Sequence, residues 1–166
     1  CSSDLRSNLT IWWATMKGMD IHRKRQAIVR EAKSWIGTPW QHQGRVKQNE
    51  KFKGGVDCLG LIIEVGKAFQ FLGEKRFDYK NYNRSPRDDD LLNEFDKHTI
   101  KVPVPEALPG DIVVMRIAKD PQHAAIMTFD HTVIHACAKA EHVIETRLSP
   151  RLWDLVRAAY RDRKST

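Results

Sequence analysis

Residues 54–66 read GGVDCLGLIIEVG and combine a glycine pair, a helix start and an apolar helical face. The apolar positions repeat at i, i+3, i+4 and i+7, the spacing of a helix with one buried side. They are Leu59, Ile62, Ile63 and Gly66. Asp57 is a suitable N-cap, since a carboxylate there accepts hydrogen bonds from the unpaired amides of the first turn. We therefore predict a buried helix that begins at Asp57 and carries Cys58 in its first turn.

The order of the remaining elements predicts an α+β fold. A helical pattern follows Asp20 and stops before Gly37, while residues 37–56 and 73–90 are rich in turn formers and predict a long loop and a surface excursion. Strands are predicted at Asp111–Ile117, His123–Phe129, Thr132–Ala138 and Glu141–Leu148. Residues 150–163 fit either a helix or a strand. Helices followed by an antiparallel meander are typical of α+β domains rather than of parallel α/β sheets.

The length of 166 residues indicates one domain with its own core. Residues 1–19 follow no clear period, and we interpret them as an N-terminal extension, either disordered or not native, before a folded domain over residues 20–166. A start at Cys1 would also suit lipidation. No uncharged apolar stretch approaches the ~20 residues of a membrane span. The three cysteines have irregular spacing and indicate no disulfide scaffold.

The charge balance is basic, with 28 Lys and Arg against 21 Asp and Glu and a formal net charge of +7. Such a surface fits an anionic neighbour, or it simply keeps the domain soluble. The basic residues do not interleave with aromatic residues, and no phosphate-binding loop is present in the sequence. Nucleic acid is therefore not an expected partner.

Cys58 is the residue that points most strongly to catalysis. Unpaired amides and the positive end of a helix favour a thiolate, which is the reactive form of cysteine. We therefore expect the pKa of Cys58 to lie below the ~8.5 of a free thiol. The alternative is a small buried core residue, which is a common role for cysteine.

His123 and His135 are candidates for the base that a cysteine nucleophile needs. They lie on consecutive predicted strands joined by a turn at Asp130-His131, so their imidazoles become neighbours if the two residues share a face. A register slip of one residue would separate them. In this hypothesis one histidine moves the proton and the other orients it.

A zinc site is the other chemistry that these side chains allow. Its ligands would be Cys58, His123, His135 and Cys137. His135 and Cys137 stand two apart on one predicted strand and rarely converge on a single ion, and the sequence has no HExxH motif or EF-hand loop. We therefore expect no metal and no other cofactor, and we expect Cys137 to be packed and slow to react.

The segment VDCLGL at residues 56–61 resembles the nucleophile motif Asp-Cys-Ser-Gly-Leu of the NlpC/P60 cysteine peptidases. Four flanking segments resemble the family in the same order: Trp35–Gly44, Leu108–Asp111, His123–Ile126 and Ile134–Ala136. Val143–Leu148 and the HQG loop at residues 42–44 resemble the branch encoded among bacteriophage tail genes, the phage cell-wall peptidases. The resemblance covers residues 20–162, and its motifs are specific as a set rather than singly.

This resemblance implies a papain-like α+β fold with the nucleophile helix packed on an antiparallel sheet, and a catalytic domain over residues 20–166. It implies hydrolysis of a stem-peptide amide of bacterial peptidoglycan, typically the D-γ-glutamyl-diaminopimelate bond. Cys58 would attack the carbonyl, His123 would move the proton, and His135 would orient His123. The amide of Cys58 would contribute to the oxyanion hole.

Trp40, His42 and Asp57 are the expected substrate-binding residues. Leu59 replaces the usual serine, and Trp40 stands where many members carry a tyrosine. An indole N–H can only donate a hydrogen bond, so the resemblance leaves the preferred peptide open.

The expected partners are peptidoglycan stem peptides and phage tail proteins, and the expected location is a phage tail or the bacterial cell envelope. Two other functions stay open at this point. One is a non-catalytic structural module of a phage tail. The other is an amidase or acyltransferase that uses the same triad on a different acyl group.

Overall fold

The computed structural model describes residues 20–69, 78–79, 82–84, 87, 89–117, 119 and 122–163. Within them, the predicted order of helices followed by an antiparallel meander is confirmed. The predicted extension over residues 1–19 lies outside the described residues, as does most of the predicted surface excursion over residues 73–90.

The helices follow the apolar spacing of the sequence. They are α1 (residues 20–33), α2 (Cys58–Phe69), α3 (Asp90–His98) and α4 (Pro150–Trp153), with a 3₁₀ turn at Val104–Glu106. The predicted helical face of α2 is confirmed, because its apolar positions at i, i+3, i+4 and i+7 are all buried. The chain turns sharply after α1 at Gly37, whose φ of +91° favours glycine.

The strands form one large and one small antiparallel sheet. They are β1 (Arg45–Val46), β2 (Gly55–Val56), β3 (Ile100–Val102), β4 (Ile112–Met115), β5 (His123–Met127), β6 (Thr132–Cys137), β7 (His142–Arg147) and β8 (Val156–Arg161). The large sheet has the order β3-β8-β4-β5-β6-β7, and β1 pairs with β2. The four predicted strands correspond to β4, β5, β6 and β7, whereas the predicted loop over residues 37–56 contains the β1–β2 pair.

The residues that fitted either a helix or a strand form both. Residues 150–153 make α4, and β8 follows it and enters the large sheet between β3 and β4. β3 was not predicted from the sequence. It is only three residues long, and its partner β8 lies more than 50 residues later in the chain.

The main core lies between the sheet and the helices. α2 packs on β5 and β6, with Leu61, Ile63, Ala124 and Ile134 fully buried between them. A second apolar cluster fills the opposite face of the sheet, under the 3₁₀ turn and α4. Packing of α2 on both β5 and β6 brings its N-terminus to the strands that carry the two candidate histidines.

Helix α1 is tied to the sheet by a buried ion cluster. Nη1 of Arg25 lies 2.9 Å from the carboxylate of Asp111, which also accepts a hydrogen bond from Arg161 at 2.8 Å. Asp111 is 1% exposed, so each guanidinium compensates the cost of burying its charge. Among the described helices, none has the length and apolarity that a membrane crossing needs.

Candidate active site

The N-terminus of α2 is built around the carboxylate of Asp57. Its Oδ1 accepts a hydrogen bond from the Gly60 amide at 2.8 Å, the capping contact that the sequence predicted. Its Oδ2 accepts a hydrogen bond from the Gln43 amide at 2.6 Å, and the Tyr82 hydroxyl donates to the same oxygen at 2.7 Å. Asp57 is only 4% exposed. It therefore joins the start of α2 to the loop before β1.

Close backbone contact explains the glycine two residues after Cys58. A Cβ at Gly60 would overlap the carbonyl oxygen of Gly44, and a Cβ at Gly44 would overlap the carbonyl oxygen of Gly55. These three glycines let the backbone before β1 lie directly against the first turn of α2.

Cys58 is the first residue of α2, and its side chain lines a cavity of about 380 Å³. The backbone amides of Ala124, Leu59 and Cys58 itself favour a negative charge on its sulfur. The Ala124 amide is available because the ladder between β5 and β6 starts only at Ile126. The sulfur therefore lies beside the first residues of β5.

Burial makes the charge state of Cys58 differ from the prediction. Burial raises the pKa of the Cys58 thiol to about 11, the three backbone amides lower it, and the Asp57 carboxylate raises it further. The expected pKa below that of a free thiol is therefore wrong, because lost hydration outweighs the helix amides. Alone in the cavity wall, the sulfur is a protonated thiol at neutral pH.

His123 and His135 meet beyond the end of the β5–β6 ladder. Nε2 of His123 lies 2.7 Å from Nδ1 of His135, and the two rings are nearly perpendicular. The pairing of Ile126 with Ile134 puts both histidines on the same face, so the predicted contact between the imidazoles is confirmed. Because Nε2 of His123 is hydrogen-bonded to His135, Nδ1 is the nitrogen of His123 that can accept a proton from another group. Its ring lines the same cavity as Cys58.

Thr146 extends this contact and was missed by the sequence analysis. Its Oγ1 lies 2.9 Å from Nε2 of His135. In the β6–β7 ladder Ile144 stands opposite His135, and Thr146 follows two residues later on the same face. The alternation of side chains along β7 indicated which residues share a face. It could not show that Thr146 contacts His135, because the register between β6 and β7 was not known from the sequence. His123, His135 and Thr146 thus form a continuous hydrogen-bonded chain.

Both histidines are neutral because they are buried. Burial lowers the pKa of His123 to about 3, and the charge of a protonated His135 would lower it further. Burial also lowers the pKa of His135. Each ring then carries one proton at neutral pH, and the hydrogen bonds of the chain determine which nitrogen carries it.

The comparison with protein families shows the family of the chain. The model of the NlpC/P60 family matches residues 37–161, most of the chain. The chain belongs to the NlpC/P60 family. Its fold is the papain-like α+β fold of that family, as predicted, whereas the phage-encoded branch stays a prediction.

Solved NlpC/P60 structures share this fold at low identity. The NlpC/p60 domain of the peptidoglycan hydrolase SagA has 24% identity and a TM-score of 0.55, over 82% of this chain and 97% of that one. The peptidoglycan hydrolase RipB of Mycobacterium tuberculosis has 19% identity and a TM-score of 0.55, over 86% and 66% of the two chains.

A Bacillus cereus protein of the NlpC/P60 family has 18% identity and a TM-score of 0.57, over 83% of this chain and 40% of that one. The chain thus spans the SagA domain but less than half of the Bacillus cereus protein. The comparison with curated protein sequences gave no match.

Trp40 and His42 form one wall of this NlpC/P60 cavity. Nδ1 of His42 lies 3.6 Å from the carboxylate of Asp57, and its ring meets Tyr82 edge-on with 5.5 Å between centroids. The guanidinium of Arg84 lies over the Trp40 ring, 4.8 Å from its centroid. Tyr82 and Arg84 also line the cavity, although their stretch of sequence had predicted only a surface excursion.

Arg45 holds this wall in place. Its guanidinium donates hydrogen bonds to the Asp78 carboxylate at 3.1 Å, the Tyr79 carbonyl at 3.0 Å and the Tyr82 hydroxyl at 3.1 Å. The rings of Tyr79 and Tyr82 stack with 5.5 Å between their centroids. Burial raises the pKa of Tyr82, as does its hydrogen bond to Asp57, so the hydroxyl keeps the proton that it donates to that carboxylate.

Cys137 is placed differently from the prediction. It ends β6 and lines the same cavity as Cys58, and like Cys58 it is partly exposed, so the expectation of a packed side chain is wrong. The amide of Ala140 donates to its sulfur at 3.4 Å. Within the part of the chain that the structure describes, no three His, Cys, Asp or Glu side chains are arranged to hold a metal ion.

Proposed function

We propose that this protein is a cysteine peptidase that hydrolyses a stem-peptide amide of bacterial peptidoglycan, of the D-γ-glutamyl-diaminopimelate type. The observation that carries the proposal is that a helix-terminal thiol and a hydrogen-bonded imidazole pair line one cavity. Membership of the NlpC/P60 family supports it, as do the peptidoglycan hydrolases among the structural relatives. Cys58, His123 and His135 form the catalytic triad.

The reaction starts with proton transfer within this triad. Nδ1 of His123 takes the proton of the Cys58 thiol as the sulfur attacks the amide carbonyl. The Cys58 amide has no carbonyl acceptor within the first turn of α2, and it stabilises the negative oxygen of the tetrahedral intermediate. The imidazolium then protonates the leaving amine, and a thioester to Cys58 remains. Water, deprotonated by His123, hydrolyses this thioester and restores the thiol.

The thiol and the imidazole are both neutral before the attack. Each charge alone is disfavoured by burial, which raises the pKa of Cys58 and lowers that of His123. Moving the proton from sulfur to nitrogen creates opposite charges within one cavity, so the two charges stabilise each other as they form. Proton transfer is therefore coupled to the attack on the carbonyl.

His135 and Thr146 keep His123 in the form that can act as a base. Nδ1 of His123 accepts a proton only when the ring proton is on Nε2, which then donates to Nδ1 of His135 at 2.7 Å. His135 must in turn carry its proton on Nε2 and donate it to Thr146 at 2.9 Å. Thr146 is thus a positioning residue that acts through His135.

The remaining predicted site residues divide into two roles. Trp40 and His42 are substrate contacts, since both line the cavity that also contains Cys58. Asp57 also lines it, but both of its oxygens accept hydrogen bonds from protein groups. Its role is to hold the start of α2, and with it the sulfur, against the loop before β1.

Digestion of purified peptidoglycan sacculi tests the proposed function. The wild-type protein releases fragments cut within the stem peptide, identified by mass spectrometry, and Cys58→Ala and His123→Ala release none. Cys137→Ala is the matched control, because it removes the other thiol of the same cavity and leaves the triad intact. An intact sacculus after treatment with the reduced wild-type protein contradicts the proposal. It would favour a structural module, or an acyltransferase if Cys58 still reacts with acyl donors.

The protein acts outside the bacterial cytoplasm, in a phage tail or in the cell envelope. The cell wall is the substrate of the proposed reaction, and the resemblance of Val143–Leu148 to phage tail peptidases favours the tail. Detection of the chain in purified virions, and its absence from envelope fractions of uninfected cells, tests the phage assignment. The reverse distribution contradicts it.

A further inference from the structure

An arginine that lines the cavity has an aromatic support and, among the described residues, no acidic partner. The Arg84 guanidinium lies over the Trp40 ring at 4.8 Å from its centroid, and both side chains line the cavity that holds Cys58. Arg84 is exposed, and no described carboxylate forms an ion pair with it. A cation held against an aromatic face keeps a defined position while remaining accessible to a ligand.

The second arginine of this wall has a different environment. Arg45 donates its hydrogen bonds to Asp78, Tyr79 and Tyr82, so its donors are used within the protein. Arg84 instead lines the cavity with its guanidinium over the Trp40 ring. A cation–π contact uses none of the five N–H donors of a guanidinium, and these donors match the two oxygens of a carboxylate.

The acidic residues of the cavity lining do not use these donors. The Asp57 carboxylate is 4% exposed and accepts hydrogen bonds from backbone amides and Tyr82. Asp90, in the first turn of α3, also lines the cavity, but no ion pair joins it to Arg84. Lys139, another lining residue, adds a second exposed cation. The lining of the cavity thus offers donors to an anionic group of a ligand.

We propose that Arg84, held by Trp40, binds the free α-carboxylate of a γ-linked glutamate at the scissile bond. This inference rests on the proposed function, because it concerns the substrate of the same site. A glutamate joined to the next residue through its γ-carboxyl group keeps its α-carboxylate free, close to the amide that Cys58 attacks. A planar carboxylate can take a bidentate hydrogen bond from the guanidinium.

Amidation of this carboxylate is the matched change in the substrate. A carboxamide has nearly the same shape but has no charge and only one acceptor oxygen, so it loses the charge-assisted pair. We expect the wild-type protein to cleave the free-carboxylate peptide about 10- to 100-fold more efficiently than the carboxamide peptide. The quantity measured is kcat/KM for two synthetic stem peptides that differ only at this group.

Variants then assign the preference to Arg84. In Arg84→Gln the ratio of kcat/KM for the two peptides should fall to within about twofold, mainly through the free-carboxylate peptide. Arg87→Gln is the matched control, since it removes a positive charge from the same stretch without touching the cavity lining, and it should keep the wild-type ratio. A third peptide, amidated on diaminopimelate instead of glutamate, should be cleaved as well as the free peptide.

Three results would overturn the inference. They are a wild-type ratio near one, a ratio that survives Arg84→Gln, and a ratio lost in Lys139→Gln instead. An Arg84-dependent preference at the diaminopimelate carboxylate would overturn the assignment to glutamate.

Binding separates this inference from the proposed function. Titration calorimetry of Cys58→Ala with the same peptides reports carboxylate recognition without turnover. If the wild-type protein cleaves none of the peptides, the proposed function fails. An Arg84-dependent preference in binding would still support the inference, and equal binding of both peptides would refute it.

Discussion

Thr146→Val removes one hydroxyl from the hydrogen-bonded chain and keeps the shape of the side chain. In the base-competent arrangement, His123 donates from Nε2 to His135, and His135 donates from its own Nε2 to Thr146 at 2.9 Å. Valine leaves this N–H of His135 without its acceptor, and His135 is only 9% exposed. An unpaired buried donor costs about 1–2 kcal/mol. We therefore expect kcat/KM to fall about 5- to 30-fold, through kcat rather than KM.

Rescue and spectroscopy distinguish positioning from a loss of folding. Thr146→Ser keeps the hydroxyl and should restore most of the activity. Thr146→Val should still unfold in one transition, with a midpoint lowered by only roughly 2–8 °C, as expected for a cost of about 1–2 kcal/mol. Nitrogen-15 NMR of labelled histidine reports the ring tautomers, and His123 should carry its proton on Nε2 in the wild type and the serine variant. Valine should increase the other tautomer. A valine variant with activity within about twofold of wild type and unchanged tautomers would refute the reasoning.

Three further predictions follow from the helix start and the buried imidazole. Because burial lowers the pKa of His123 to about 3, the ring stays neutral and able to accept a proton at pH values below the ordinary histidine pKa of 6.5. Activity should therefore be lost only as the pH falls towards the pKa of about 3. A pH–rate profile with its acid limb at 6.5 or above contradicts this prediction. Asp57→Asn replaces an oxygen that accepts hydrogen bonds by an amino group facing donors, so the free energy of unfolding in urea should fall by about 1.5–3 kcal/mol. Asp130→Asn, an exposed control, should change it by less than about 1 kcal/mol, and equal losses in the two variants would refute the capping role. Alanine normally stabilises a helix by about 1 kcal/mol relative to glycine. Gly60→Ala should nevertheless destabilise the protein, because the new Cβ overlaps the Gly44 carbonyl oxygen. A raised melting temperature of this variant would contradict the close packing at Gly60.

Local patterns predicted the helix and the contact between the two histidines. The apolar spacing after Cys58 depends only on the helical period, and α2 has the buried face expected from it. The turn at Asp130-His131 joins consecutive strands, so the pairing of β5 with β6 needed no distant information. In the β5–β6 register, His123 and His135 lie on the same face of the sheet, and this brings their rings together.

Non-local pairing and burial account for what the sequence analysis missed. β8 enters the sheet beside β4, more than 40 residues away in the chain, and no local pattern reports such a partner. Thr146 reaches His135 only through the β6–β7 register. The pKa of Cys58 depends on how far the surrounding elements shield the partly exposed thiol from water, which the helix start alone could not predict.

Cleavage of a defined stem peptide tests the central claim most directly. The peptide is L-alanyl-γ-D-glutamyl-diaminopimelate, and mass spectrometry follows the release of diaminopimelate together with the thioester mass on the peptide that contains Cys58. The account predicts release by the wild-type protein, a transient acyl group on Cys58, and neither signal in Cys58→Ala. Release that persists in Cys58→Ala, or an acyl group carried by Cys137 instead, would contradict the account.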